Sequence, residues 1–359
     1  MRSFTRWVLV ASLSSWVSLV ACDAREDGQG GSGGATASSG DATSTGEASS
    51  AGGTTAASTS SAATSSSSGP QTFLDVYPLD AQYPEGGIYD PKGHAFYVGS
   101  LGDGSVHRVD AATGAETLLF HETAPGTWWT LGMDVDTTRE RLWVCAMDDS
   151  VDPRAGYVWL LDRATGKRIL TYDLSTAAPD ASCTDVVVSK NGTAYVCDRE
   201  AGRIYVMDEQ TAPTVFVEDD ALSASFVGQN AMVLLPDESA ILSLLYLPSG
   251  LARVDLSNGV VTPVDVSGKF PDLTPLHGAD GMTYANGSLY VAFTEELIRL
   301  DPVVADWTAA ASQVVVVPNG QTDVISTPNG LDLLNGQSVT FALGDTPDPF
   351  HLVKFTGNL

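Results

Sequence analysis

The stretches that decide the fold are Val106-His107-Arg108-Val109-Asp110-Ala111-Ala112-Thr113-Gly114 and Val158-Trp159-Leu160-Leu161-Asp162-Arg163-Ala164-Thr165-Gly166. Each reads as an apolar strand closing on Asp, then an Ala-Thr-Gly turn that sends the chain back into another strand, at residues 116–120 and 168–172. Asp suits such a turn because its short carboxylate accepts nearby backbone N–H groups, and Gly supplies the positive φ that ends it. The same strand recurs as Ile204-Tyr205-Val206-Met207-Asp208, Leu251-Ala252-Arg253-Val254-Asp255 and Leu297-Ile298-Arg299-Leu300-Asp301, so successive closing Asp residues are 52, 46, 47 and 46 apart.

Working outward, each unit adds a first strand with a small polar opening and a second strand ending in an aromatic-Val or similar pair. Asn191-Gly192, Asn286-Gly287 and Asn335-Gly336 read as the turns between these two strands. Four strands per unit at a period near 46 to 53 predict a β-propeller, whose blades bury their faces against one another. Six units predict an all-β fold, a six-bladed β-propeller over residues 71–359. The last unit runs out after a third strand at 351–355, and residues 73–77 read like a fourth strand. The N-terminal strand is therefore expected to complete the last blade and close the ring.

The 359-residue chain carries 18 Lys+Arg against 44 Asp+Glu, a formal net charge of −26. Residues 71–359 hold 15 of the basic and 39 of the acidic residues, so the acidity belongs to the folded part. Like-charge repulsion then excludes nucleic acid and anionic lipid headgroups as partners. Arg2 and Arg6 precede an apolar run at 7–20 that suits a secretory signal better than a membrane span. It ends Leu19-Val20-Ala21-Cys22, which resembles the bacterial lipobox. The expectation is a signal peptide at 1–21, lipid on Cys22, and a Ser/Thr/Gly/Ala linker at 22–70 with a reach of roughly 40 Å. That describes an exported bacterial lipoprotein, monomeric, touching a membrane only through its lipid anchor on the periplasmic or cell-surface side. Which membrane receives it stays open.

Aligning the first strands places Glu85, Leu131, Thr184, Asn230, Asp280 and Asn329 at equivalent positions, in steps of 46, 53, 46, 50 and 49. Innermost strands line the central channel, so these side chains converge on the axis. Two carboxylates and two carboxamides without a His form a hard oxygen site suited to Ca²⁺ or Mg²⁺/Mn²⁺ rather than tetrahedral zinc. The alternative is a polar ring that merely caps a water-filled channel.

Pro84-Glu85-Gly86, Gln229-Asn230-Ala231 and Ala279-Asp280-Gly281-Met282, with Leu289-Tyr290-Val291 and Ile298-Arg299-Leu300-Asp301 downstream, resemble the SMP-30/gluconolactonase/LRE-like family of six-bladed propellers. The resemblance spans residues 73–355, on short motifs. It implies one divalent cation held by Glu85, Asn230 and Asp280, Ca²⁺ first, with Mn²⁺, Mg²⁺ or Zn²⁺ as alternatives. It further implies that the cation polarises the carbonyl of a lactone or small ester, with Asp280 as base or as ligand only. The chain departs from the family at Ser182-Cys183-Thr184, where many members have an Arg and, two residues on, an Asn. Thr184 donates a hydrogen bond but ligates weakly, and Ser182 cannot replace a guanidinium fork. Asn329 is the candidate for a further oxygen from blade six.

His277 and His121, in loops leading to first strands, are candidate proton shuttles or simply solvated loop residues. Trp129, in the Trp128-Trp129 pair, either stacks on a ligand or packs between blades. With Cys22 lipidated, Cys145, Cys183 and Cys197 remain; a cross-strand Cys183–Cys197 bridge is the first expectation, though sequence leaves the connectivity open. Two functions follow: a membrane-tethered, metal-dependent hydrolase of lactones or small esters, or a noncatalytic propeller that binds a ligand or protein around a structural cation.

Overall fold

The computed structural model describes residues 72–223, 227–247, 249–268, 270, 278–316, 321–345 and 347–356. Cys22, the signal and the linker lie outside them, as does His277. The described residues form six sheets of antiparallel hairpins, the six-bladed propeller expected. Blade one consists of Gly87–Asp90, Ala95–Gly99, Ser105–Asp110 and Glu116–His121. Blade two follows with Trp128–Asp136 innermost, blade three with Val186–Val188, blade four with Val227–Leu234 and blade five with Ala279–Ala285. Blade five also gains a short outer strand, Asp265–Ser267, parallel to Ala309–Val316.

Blade six is assembled from both ends of the domain. Its inner strands Gln321–Thr327, Gly330–Asn335 and His351–Thr356 are completed by Thr72–Pro78, which pairs antiparallel with the last of them. The predicted ring closure is therefore present. It ties the N-terminal strand to the C-terminal blade and covers the edge that His351–Thr356 would otherwise expose.

The repeated Asp is explained by local geometry. Asp110 Oδ1 accepts from the backbone N–H of Ala112 (3.1 Å) and Thr113 (2.9 Å) and from the Thr113 hydroxyl (2.8 Å). Asp162 does the same for Ala164, Thr165 and the Thr165 hydroxyl. Gly114 and Gly166 then take φ of 70° and 69°, which a side chain would disfavour. These carboxylates are turn caps, and their hydrogen bonds hold them below the usual carboxylate range.

The core lies between blades. Trp143 and Trp159 are wholly buried, and Trp143 stacks on Tyr172 with ring centroids 5.8 Å apart. The disulfide is Cys145–Cys183, with Cα atoms 5.4 Å apart, not the expected Cys183–Cys197. Cys197 is a buried free thiol. The reason is register: the Cys197 carbonyl and N–H bond Thr184 and Asp185, one and two residues beyond Cys183. Side chains alternate faces along a strand, so Cys183 turns toward blade two and Cys197 toward blade four.

Candidate active site in the central channel

The channel position opens each inner strand and escapes the regular ladder. Pairing slips between Thr130 and Met133, between Gln229 and Ala231, between Ala279 and Met282, and between Gln321 and Asp323. Leu131, Asn230, Asp280 and Thr322 fall in these irregularities, while Glu85 and Thr184 stand just ahead of their strands. Bulges of this kind redirect a side chain without breaking the sheet. Close blade contact depends on glycine at the next residue: a Cβ on Gly132 would lie 2.0 Å from Asp185 Oδ1, and one on Gly281 would lie 2.0 Å from Asp323 Oδ1.

The structure brings Glu85, Thr184, Asn230 and Asp280 to one end of a cavity of about 360 Å³. The far end is formed by the hairpin side, where Lys190 N–H donates to Glu238 Oε1 (2.7 Å) and Lys190 Nζ to the Pro236 carbonyl (2.8 Å). In blade six the equivalent strand position is Thr322, 42 residues after Asp280, not Asn329; its hydroxyl lies against the Pro84 (2.9 Å) and Leu334 (3.2 Å) carbonyls, and Asp323 lines the cavity instead. Asn329 sits in the tight turn between Gln321–Thr327 and Gly330–Asn335, so it cannot supply a channel oxygen. Asn335-Gly336 likewise closes a second strand rather than a first hairpin. A shortened blade defeats an alignment that assumes even spacing. A better signal was available, because Thr322-Asp323-Val324-Ile325 repeats Thr184-Asp185-Val186-Val187.

Six carboxyl groups line this channel; Glu238 stands at the hairpin end, and hydrogen bonds divide the other five. Asp134 accepts from Val135 N–H and, across the blade boundary, from Val188 N–H, both at 2.7 Å. Asp185 accepts from Val186 (2.8 Å) and from Met232 of blade four (2.7 Å). Asp323 accepts from Val324 (2.7 Å) and from Gly87 of blade one (2.9 Å). These three fasten neighbouring blades together. Burial nevertheless pushes Asp134 up to about 6 and Asp185 up to about 7, and raises Asp323 well above the carboxylate range.

Glu85 and Asp280 are arranged differently. Asn230 Nδ2 donates to Asp280 Oδ1 (3.0 Å) and to the carbonyls of Asp280 (3.0 Å) and Ala279 (3.2 Å). Glu85 Oε2 is shut off from solvent and has no hydrogen-bond partner among the described residues. Burial, then the charge of Asp280, raises the Glu85 carboxyl well above its usual range; the Arg199 guanidinium pulls the other way. An orphaned carboxylate oxygen beside a second carboxylate and an amide fits an oxygen-liganded divalent cation. Among the described residues no three His, Cys, Asp or Glu side chains form a cation site by themselves. A cation here needs the Asn230 amide turned so that its oxygen, not its NH₂, faces the carboxylates.

Of three other expected residues, Thr184 lines the cavity with its hydroxyl engaged, and Trp129 and His121 lie away from it. Thr184 is buried, and its hydroxyl is committed to the Gln229 carbonyl at 3.3 Å. Trp129 is buried edge-on to Phe341, with the Arg154 guanidinium 5.2 Å over its ring, and does not line the cavity. His121 is exposed on the outermost strand of blade one, opposite Ser105, far from the axis in the blade order.

Sequence reading missed Arg199 and Tyr246, which stand within electrostatic reach of Glu85 and of each other. Arg199 opens the turn after blade three's second strand, a position with no repeat pattern to mark it. Sequence reading also missed a Ser-His-Glu chain in blade one, with Ser105 Oγ 2.8 Å from His107 Nε2 and His107 Nδ1 2.7 Å from Glu116. It is not a nucleophile site. Ser105 is fully buried and its single hydroxyl proton goes to Asp103 (2.6 Å), while Glu116 also ties down the backbone of Asp80 and Ala81.

No protein-family model and no curated protein sequence matches the chain. Many solved structures do. The allergen Mala s 1 of Malassezia sympodialis aligns with a TM-score of 0.63 at 15% identity, over 79% of this chain and 97% of that one. A PQQ-bound aldose sugar dehydrogenase from Streptomyces coelicolor aligns at 0.57 and 15% identity, over 80% and 98%. A gluconolactonase from Xanthomonas campestris aligns at 0.55 and 15% identity, also over 80% and 98%. At such identities the likeness establishes the fold.

Proposed function

We propose that this chain is a divalent-metal-dependent hydrolase of lactones or small esters, held at a membrane surface by lipid on Cys22 and the 22–70 linker. The observation that carries the reading is the unpartnered Glu85 oxygen beside Asp280 and Asn230 at one end of the channel. The structural likeness to a gluconolactonase supports it. Glu85, Asn230 and Asp280 would hold the ion, which when bound supplies Lewis acidity toward a substrate carbonyl. Asp280 takes a proton from the attacking water as the new C–O bond forms. It returns that proton to the ring or alkoxy oxygen as the scissile C–O bond breaks, so the carboxylate is regenerated. The neighbouring Tyr246 phenol, raised by burial and by the charge of Asp280, stays protonated and able to donate to a substrate oxygen.

The test is metal content and thermal stability before and after EDTA, for the wild type and Asp280→Ala, followed by a panel of aliphatic, sugar and aromatic lactones with Ca²⁺, Mn²⁺ and Zn²⁺. One cation per chain, lost in the variant, is expected. At a hundredfold excess over Kd it should stabilise the fold by about 2.7 kcal/mol. No bound cation, no response to added Ca²⁺ or Mn²⁺ and no turnover would overturn the reading and leave a noncatalytic binding propeller. The anchor is tested separately: partition into detergent should be lost in Cys22→Ala.

A further inference from the structure

Beside Glu85 lies a cluster that the hydrolytic chemistry does not use. Arg199 is held by its backbone, with its N–H on the Ser182 hydroxyl (2.9 Å) and its carbonyl accepting from Gly228 (2.7 Å). Its side chain, by contrast, has no hydrogen bond among the described residues, and its Nε is sealed from solvent. That is costly for a guanidinium, which offers five donors in a planar fork. Its nearest charged neighbours include another arginine, Arg154, which adds to burial in disfavouring the charged form; Glu200, Glu85 and Tyr246 act in the opposite sense.

Arg154 is fixed in place. Its Nε meets Asp149 Oδ1 at 2.5 Å, Glu200 lies 3.7 Å from its Nη1, and its guanidinium covers the Trp129 ring. Trp129 is in turn buried against Phe341 on the helix Ser338–Leu343. So one guanidinium is immobilised by partners while its neighbour keeps its fork unspent, next to the carboxyl group proposed to hold the cation. Arg199 is only half-buried, so its Nη groups, which bond no described residue, are the donors an acceptor from outside can reach while Nε stays shielded. A planar carboxylate matches the fork with two parallel charge-assisted hydrogen bonds.

We propose that Arg199, backed by Arg154, is an anion-recognition site, and that the preferred substrate is a lactone or ester carrying a free carboxylate near the scissile carbonyl. This deepens the hydrolase reading and rests on it for the reaction, though not for the binding. The domain's field is strongly negative, so a carboxylate is held here by direct contact with the Arg199 fork and not by long-range attraction.

The experiment separates binding from turnover. The full-length chain, stripped of metal with EDTA and then dialysed free of it, is titrated calorimetrically with glutarate and with glutaramide, its uncharged counterpart. Glutarate should bind at least about tenfold more tightly, as expected for a charge-assisted bidentate contact. That preference should disappear in Arg199→Met and shrink in Arg199→Lys, which keeps the charge but loses the fork. Equal binding of the two probes, or a preference that survives Arg199→Met, would overturn the proposal. If Arg199→Met does not fold, an undiminished preference in Arg199→Lys would overturn it just as well. A glutarate preference in a protein that hydrolyses no lactone would sustain the anion site and sink the hydrolase; metal-dependent turnover of neutral lactones without any glutarate preference would do the reverse.

Discussion

The stability of this propeller should fall as pH rises from 5 to 7.5, and Asp185→Asn should flatten the fall. In the folded protein Asp134 and Asp185 are raised to about 6 and about 7, chiefly by burial. The unfolded chain returns both to about 3.9. A folded-state value above the unfolded one means that the folded state binds more protons between the two values. The stabilisation is therefore complete below about pH 4 and is lost as pH rises through 6 and 7. Every tenfold gain in proton affinity on folding corresponds to about 1.4 kcal/mol, which sets an upper bound for the pair of roughly 7 kcal/mol overall and roughly 4 kcal/mol between pH 5 and 7.5. Both carboxyls face the channel rather than the packed core, and each accepts two N–H groups. About 2 to 3 kcal/mol is a more realistic loss.

The turn-cap carboxylates act oppositely, since their lowered values cost stability only as pH falls through the acid range. The window from 5 to 7.5 thus isolates the channel. The assay is urea unfolding at half-unit steps of pH, without divalent cations, on wild type and Asp185→Asn. The variant loses a constant amount at every pH because an amide satisfies only one of the two N–H groups now held at 2.8 and 2.7 Å. Relative to the wild type it should gain about 1 to 2 kcal/mol between pH 5 and 7.5. Parallel pH profiles would refute the argument, because they would mean that Asp185 is ionised throughout the window.

Peptide mapping should find Cys145 joined to Cys183, and Cys197 as a thiol that reacts only after denaturation. Removing the bridge with Cys145→Ala, across a sequence separation of 38, should cost about 3 to 4 kcal/mol in unfolding experiments. Truncation beyond Pro78 leaves blade six with three strands, and calorimetry should then show a lower, broader transition. Gly132→Ala forces a Cβ to within 2.0 Å of Asp185 and should lower stability by about 1 to 3 kcal/mol, read from the urea midpoint.

The fold was legible because its punctuation is chemical. Asp110, Asp162, Asp208 and Asp255 all cap turns through their own side chains, so the repeat that announces four-stranded blades is written in residues whose job is local. Glu85 and Asp280 were legible for a related reason, since each precedes a Gly that close blade packing demands, and Asn230 holds the equivalent place before Ala231. Blade six was misread because its spacing shrinks and Asn329-Gly330 imitates a polar strand opening. The disulfide was misread because register decides which face Cys183 presents, and a pairing offset of one residue is invisible before the strands are paired. Arg199 and Tyr246 carry no repeat at all; only the closed ring brings them beside Glu85.

Hydrogen-bond satisfaction sorts the channel's charges more sharply than charge itself does. Asp134, Asp185 and Asp323 each spend both oxygens on backbone N–H groups, one within the blade and one across its boundary. Altering them loosens the ring, and an external ion could engage them only by competing with two bonds apiece. Glu85 and Arg199 are the reverse case: each is partly or wholly withdrawn from water with donors or acceptors left over. Selection for stability alone would have removed such groups or given them partners, because an unmet buried polar group costs about 1 to 3 kcal/mol. Glu85 and Arg199 stand within electrostatic reach of each other with no hydrogen bond between them, so one ligand that engages both would satisfy both. A cation bridged from Glu85 to a substrate carbonyl and a carboxylate on that substrate reaching Arg199 would satisfy the two sites in a single complex.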